Sequence, residues 1–371
     1  MDGVPGYVAG GTWAGTSGHR IARLVNQGVE RAEAVRLASR EPGSFWHSVL
    51  ALMYAGEVGR AAAECARATD RQRDAVTLLR ARLAWLTGSP AEAAGLLSEV
   101  CERGVDPRLR GLVVAWLVAA MTELADLEDA RSVLLDHGFG GALADVPDGP
   151  ELLAARGELH FAAGRFVLAR NDFRECGRLL TAHGVVNPAV VPWRSRQAVC
   201  ESVLGRTEVG AALAAQDFAA ARRWGSARAK GVAAHAVAVT NGRDPGLLRT
   251  AEVLLRHGDR LRVRYDLALA LDESGDRAAA QAVLADVGRS ARAAGYALVT
   301  AQAAAAAARL CALTRRERKI AGLARAGWTN RRIAQREAVT LRTVEFHLTS
   351  VYRKLGVGGR HELVALPGVP R

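Results

Sequence analysis

From Ile21 to about Leu310, apolar residues recur at helical spacing with Arg, Glu and Asp between them, so the pattern predicts helix almost throughout. One unit repeats within it: a Gly or Ala, one or two polar residues, then an Ala-rich amphipathic run. Copies start at Gly56, Gly88, Ala125, Gly164, Gly205 and Gly275. Their spacing is 32, 37, 39 and 41 residues, then 70, an interval with room for a degenerate copy near Gly242. A period in the thirties, with small residues where helices cross, predicts antiparallel helix pairs stacked as a solenoid. An irregular all-α domain is the competing expectation. Residues 138–150 and 185–192 combine Gly or Pro with loss of periodicity and are expected as loops. The Ala-rich run from Ser290 to Leu310 predicts a single helix. No Gly/Pro/Ser-rich linker follows it, so a fairly stiff connection is expected.

The last fifty residues change in character. Thr314 and Glu317 have the spacing of a capping box, Ile320, Leu323 and Ala324 give an apolar stripe, and Gly327 supplies a stop. Thr329 caps a second helix carrying Ile333 and Ala334 inward, and Ala338 and Val339 make a tight turn. Thr340 caps a third, which buries Val344, Leu348, Val351 and Leu355 on one face and ends at Gly356. Arg360 to Ala365 supply one or two further turns. Two short helices joined tightly, with another packed behind, predict a helix-turn-helix. The opposite face of the third helix presents Arg342, Glu345, Phe346, Thr349 and Arg353, a set able to enter a major groove.

The motifs L-T-x-R-E (Leu313 to Glu317), G-x-T-N (Gly327 to Asn330), T-V-E-x-H-L (Thr343 to Leu348), V-Y-x-K-L-G-V (Val351 to Val357) and R-x-E-L (Arg360 to Leu363) fall in one register. In that register the segment resembles the LuxR-type helix-turn-helix family. The preceding repeats resemble tetratricopeptide repeats. Together they are similar to the C-terminal part of the large ATP-binding LuxR-type regulators, whose nucleotide-binding domain has no counterpart here. The resemblance implies an all-α chain: a Gly-rich tail over 1–18, a tetratricopeptide-like solenoid over 19–308, and a four-helix DNA-binding domain over 309–371. It implies a DNA-binding transcription regulator. The competing reading is a helical-repeat adaptor whose terminal unit has decayed.

Charge sharpens this picture. From Arg309 to Arg371 there are 14 Lys+Arg against 4 Asp+Glu, whereas the whole chain is only +12. The basic surplus is therefore local to the last sixth, as phosphate binding requires. Arg-rich coding bias is real, since the lysines are Lys230, Lys319 and Lys354, but bias alone would not concentrate the surplus.

Other chemistries find little support. The five cysteines are scattered and no Cys/His cluster exists, so neither a disulfide framework nor a zinc site is indicated, and a reducing cytoplasm fits. The glycines near residue 10 lack the Lys of a phosphate loop. The apolar run Leu112 to Met121 is too short to span a bilayer, so no membrane role is expected. No nucleophile–base arrangement or paired carboxylate motif appears, so no enzyme, cofactor or metal is expected. Trp46, Trp85, Trp116, Trp193 and Trp224 are expected as core fillers, and the isolated histidines likewise.

By the family's docking, Glu345, Phe346 and Thr349 reach base edges. Thr329, Asn330, Arg342, Thr343, Arg353 and Lys354 hold phosphates of double-stranded DNA. RNA polymerase is the expected further partner, with a protein or small-molecule effector on the repeats. Five positions depart from the family: Glu337 where Leu is usual, Arg332 where Glu is usual, Gly322 inside the first helix, and Pro367 and Pro370 after the fourth. The shortened fourth helix, the family's dimer contact, implies a dimer that forms only on DNA.

Overall fold

The computed structural model describes residues 17–40, 45–68, 73–104, 107 and 109–365. The Gly-rich tail lies outside them, except that residues 17 and 18 already belong to the first helix. Leu366 and the two prolines beyond it also lie outside the described residues. The chain forms two compact units, the first ending at Ala303 and the second starting at Ala304. Among the described residues every regular element is a helix.

The first unit is a series of helix pairs. They are α1 (Ser17–Gln27) with α2 (Arg31–Ala38), α3 (Phe45–Ala55) with α4 (Val58–Ala66), α5 (Arg73–Leu86) with α6 (Pro90–Arg103), and α7 (Arg110–Glu123) with α8 (Leu127–Asp136). The series continues with α9 (Gly149–Ala162) and α10 (Phe166–Ala182), α11 (Trp193–Val203) and α12 (Thr207–Trp224), α13 (Ala227–Thr240) and α14 (Pro245–Leu254), and α15 (His257–Glu273) and α16 (Arg277–Ala293). Helix α17 (Ala297–Cys311) follows. The first helix of most pairs packs on the first helix of the next, which makes the array a helical-repeat solenoid.

The recurrent Gly is what turns each pair. At Gly56, Gly88, Gly164, Gly205 and Gly275 the backbone takes positive φ, and the next residue donates its amide to a carbonyl five positions back, as Glu57 N does to Leu52 O (2.8 Å). This closes the first helix with its last carbonyls satisfied. Gly242 has the same role (φ +72°), so the long interval hides α13 and α14, with Arg243 as an extra left-handed residue in that turn. Ala125 makes the same turn without glycine's freedom (φ +63°).

Helix α7 shows why the longest apolar run is neither amphipathic nor membrane-spanning. Residues 111–118 are all buried, because this helix sits among α5, α6, α8 and α9. No single helix among the described residues is long and apolar enough to cross a membrane. Trp46, Trp116 and Trp224 are buried, whereas Trp85 and Trp193 are half-buried.

Two expectations need correction. The Ala-rich run is two helices, because Gly295 (φ +76°) breaks it and Tyr296, now buried, donates its amide to Ala291 O (2.9 Å). Alanine's helix propensity over the whole run is overridden by one Schellman turn that lets Tyr296 reach the core. Residues 185–192 are a loop as expected, but an inward one. Val185, Asn187, Ala189 and Val190 are buried. Buried loop backbone needs partners, and Asn187 supplies them: its Nδ2 donates to Val25 O (2.6 Å) and its Oδ1 accepts from Ala189 N (3.0 Å). The amides of Val186 and Asn187 both donate to Asn26 O.

The solenoid winds tightly enough to touch itself several repeats on. Trp224 Nε1 donates to Tyr54 O (2.8 Å), and Arg262 on α15 pairs with Glu123 on α7. The first helices of the pairs, from α3 to α15, and α17 thereby surround an internal chamber of about 420 Å³.

Candidate nucleic-acid interface

The second unit holds α18 (Arg315–Arg325), α19 (Asn330–Arg336), α20 (Leu341–Leu355) and α21 (Arg360–Ala365). Each starts or stops where the sequence has the chemistry for it. The capping box is complete: Glu317 N donates to Thr314 Oγ1 (3.1 Å) and Thr314 N to Glu317 Oε2 (2.7 Å). Thr329 Oγ1 accepts from Arg332 N (3.3 Å) and Thr340 Oγ1 from Thr343 N (3.1 Å). Between α19 and α20, Ala338 takes φ +51° and Val339 N donates to Ala334 O (3.0 Å), which makes the tight turn of a helix-turn-helix. Ile320, Ala321, Ala324, Ile333, Ala334, Val344, Leu348, Val351 and Leu363 form its own core.

That core fixes which face of α20 is free. With Val344, Leu348 and Val351 inward, Arg342, Glu345, Phe346, Thr349 and Arg353 are exposed. Phe346 is 71% exposed, a heavy exposure of apolar surface for an isolated unit. Its ring meets the half-buried His347 edge-on, centroids 5.8 Å apart. The Thr349 hydroxyl donates to Glu345 O (2.9 Å) within the helix, and Thr343 Oγ1 lies 2.8 Å from Thr340 Oγ1. Asn330 sits at the start of α19, its Oδ1 accepting from Arg360 Nη2 (2.8 Å). Arg360 Nη1 donates to Trp328 O (2.6 Å), so α21 ties down the entry to α19.

Lys354 is not where a phosphate ligand would be. Its side chain is only 3% exposed; the ammonium is bound to Glu317 Oε2 (2.6 Å) and Ala312 O (3.1 Å). Glu317 also accepts from Ser350 Oγ (2.7 Å). Burial pushes the Glu317 carboxyl up, but the hydrogen bonds from Lys354, Ser350 and Thr314 N outweigh it and hold the group at about 2. The lysine thus serves as the buried counter-charge joining α18 to α20, a role that periodicity did not signal. In the sequence the T-x-x-E pattern of Thr314 and Glu317 looked like a cap alone.

Glu337 is inward as its position implied, at 9% side-chain exposure. It has a partner invisible in the sequence, Lys319 Nζ at 2.8 Å, while its other oxygen is buried without one. Arg332, in place of the family's Glu, stacks on Trp328 at 4.0 Å beside Arg336 at 4.9 Å.

The family profile described as bacterial regulatory proteins, luxR family, matches residues 311–366. Residues 311–366 are a LuxR-family domain. Over 54 residues the chain is 46% identical to the probable transcriptional regulatory protein SgaR of Hyphomicrobium methylovorum. That match covers 15% of this chain and 26% of SgaR. Among solved structures, a Rap protein complexed with competence and sporulation factor aligns with 86% of this chain and 98% of its own, at 12% identity and TM-score 0.48. The Cut9–Hcn1 hetero-tetramer of APC/C aligns with 92% of this chain and 68% of that one, at 12% identity and TM-score 0.46. The solenoid assignment rests on the helix pairing itself rather than on these two likenesses. The family and SgaR matches concern the LuxR-type domain, and the chain spans about a quarter of the length of SgaR.

Proposed function

We propose that the chain is a sequence-specific regulator of transcription that inserts α20 into the major groove of double-stranded DNA. The observation that carries this is the outward face of α20, where Phe346 stands exposed between Glu345 and Thr349 with Arg342 and Arg353 towards the two ends of the helix. Glu345 is suited to accept from cytosine N4 and Phe346 to touch a thymine methyl. Thr349 reads a base once its hydroxyl leaves the Glu345 carbonyl. Arg342, Arg353, Thr329, Asn330 and Thr343 hold phosphates, aided by the capped N-termini of α19 and α20. Lys354 is left out of this set because its charge is already paired. In this reading the solenoid is the part that senses an effector or protein partner. RNA polymerase is the further partner, and two copies pair on DNA.

The test is binding of the chain to a randomised duplex library at several salt concentrations. Arg342→Ala is expected to weaken binding about equally on all sequences and to lower the salt slope by about one phosphate contact. Thr349→Ala is expected to relax preference at one base pair per half-site and leave the slope nearly unchanged. The reverse pattern would mean that the helix docks rotated from this reading. No binding at low salt would favour the adaptor reading instead.

A further inference from the structure

The chamber inside the solenoid is walled by charges that mostly answer one another. Arg228 pairs with Asp259 (2.8 Å), Arg262 with Glu123, and Arg196 with Glu158, all on its lining. Five arginines and five carboxylates line it in total. A guest with net charge would leave a buried charge uncompensated, which is costly. A guest with no net charge but separate positive and negative ends would not.

One corner is incomplete. Glu123 is 4% exposed; one oxygen takes the Arg262 guanidinium and Oε2 has no partner. The indole N–H of Trp85 is also buried without an acceptor. Both residues border the chamber and, beside it, a niche of about 20 Å³ shared with Arg228 and Arg262. A bare carboxylate oxygen calls for a charged N–H donor, and an indole N–H near arginines calls for an anionic acceptor. The lining also carries aromatic rings, among them Tyr54, Phe161 and Phe173. The chamber volume lies in the range of small-molecule sites.

We propose that this chamber binds a small zwitterion of the α-amino-acid type, its ammonium on Glu123 Oε2, its carboxylate towards Trp85 Nε1 and Arg228, and its apolar side chain among the aromatic rings. This deepens the reading of the solenoid as the sensing part, and its test does not depend on DNA. A single water in the niche would satisfy the same two atoms, so the test separates the two.

The full chain is titrated calorimetrically with L-phenylalanine and L-leucine, and with L-phenylalaninamide and 3-phenylpropionate, which each lack one charge. Tryptophan fluorescence is followed in parallel, since Trp85 and Trp116 line the chamber. At least one zwitterion is expected to bind saturably, and the singly charged analogues at least tenfold more weakly. Glu123→Gln is expected to weaken the zwitterion at least tenfold. Because that variant also removes one of the two carboxylates paired with Arg262, Ala119→Leu is the second. Ala119 lies one turn before Glu123 on the same lining, and the larger side chain fills the chamber without removing a hydrogen bond. It should abolish binding with helix content unchanged by circular dichroism. Failure of both amino acids to bind the folded chain, equal binding of the analogues, or binding untouched by Ala119→Leu would overturn the proposal and leave a niche water only. Amino-acid binding by a chain that binds no DNA would instead count against the DNA-binding reading alone.

Discussion

The ion pair between Glu317 and Lys354 is the place where the DNA-binding unit is most exposed to a single change. Both side chains are nearly buried, at 5% and 3%. The Glu317 carboxyl is held at about 2, well below an ordinary 4.5, which favours the folded state by about 3 kcal/mol. Because the folded value is depressed, this contribution is fully present above the unfolded value and is lost as pH falls from about 4.5 through about 2. Glu317→Gln at neutral pH removes the same charge and leaves the Lys354 ammonium buried, a loss of about 3–5 kcal/mol. A unit of this size has a total stability of roughly 3–10 kcal/mol, so the variant should be partly or wholly unfolded. The assay is urea denaturation of the 304–371 fragment followed by Trp328 fluorescence, the one tryptophan it contains. Glu317→Gln combined with Lys354→Met should recover much of the loss, because an apolar pair carries no desolvated charge. A stabilising role for the pair is refuted if Glu317→Gln stays within about 1 kcal/mol of wild type, or if the wild-type fragment is equally stable at pH 5 and pH 2.

Four smaller effects are expected, each measured by thermal or urea denaturation. Gly322→Ala, at an exposed α18 position where an added Cβ meets nothing within 4 Å, should stabilise the fragment by about 1 kcal/mol. Ala338→Gly should stabilise it by roughly 1 kcal/mol, since the turn between α19 and α20 holds a non-glycine residue at φ +51°; a loss would mean that entropy of the unfolded chain dominates. Glu337→Leu should raise the melting temperature, because it removes an unpartnered buried oxygen while Lys319, 61% exposed, returns to water. In the full chain, Asn187→Ala should cost about 1–3 kcal/mol, as it leaves Ala189 N without its acceptor and Val25 O with Gly28 N as its remaining donor; an effect below 0.5 kcal/mol, within the range of ordinary surface changes, would mean that water replaces it.

Local rules settled a good deal of this protein before any folding. Three threonine caps, the Glu317 capping box and the stops at Gly327 and Gly356 are interactions between residues a few positions apart, so their spacing is the structure. The repeat turns were legible for the same reason, even at Gly242, where Arg243 adds a second left-handed residue to the turn. The outward set on α20 followed from helical periodicity and an inward row of four residues. What sequence reasoning could not reach are contacts that join distant stretches. Lys354 read as a surface cation, yet packing carried it 37 residues back to Glu317. Arg360 returns 30 residues to fix Asn330. Loop 185–192 turned inward because Asn187 meets α1 across 162 residues. The chamber exists only because helices several repeats apart come together, bringing Glu123 to Arg262 over 139 residues. Hydrophobic periodicity says which face of a helix is buried; it does not say which distant helix it is buried against, and that choice belongs to the packing of the whole unit.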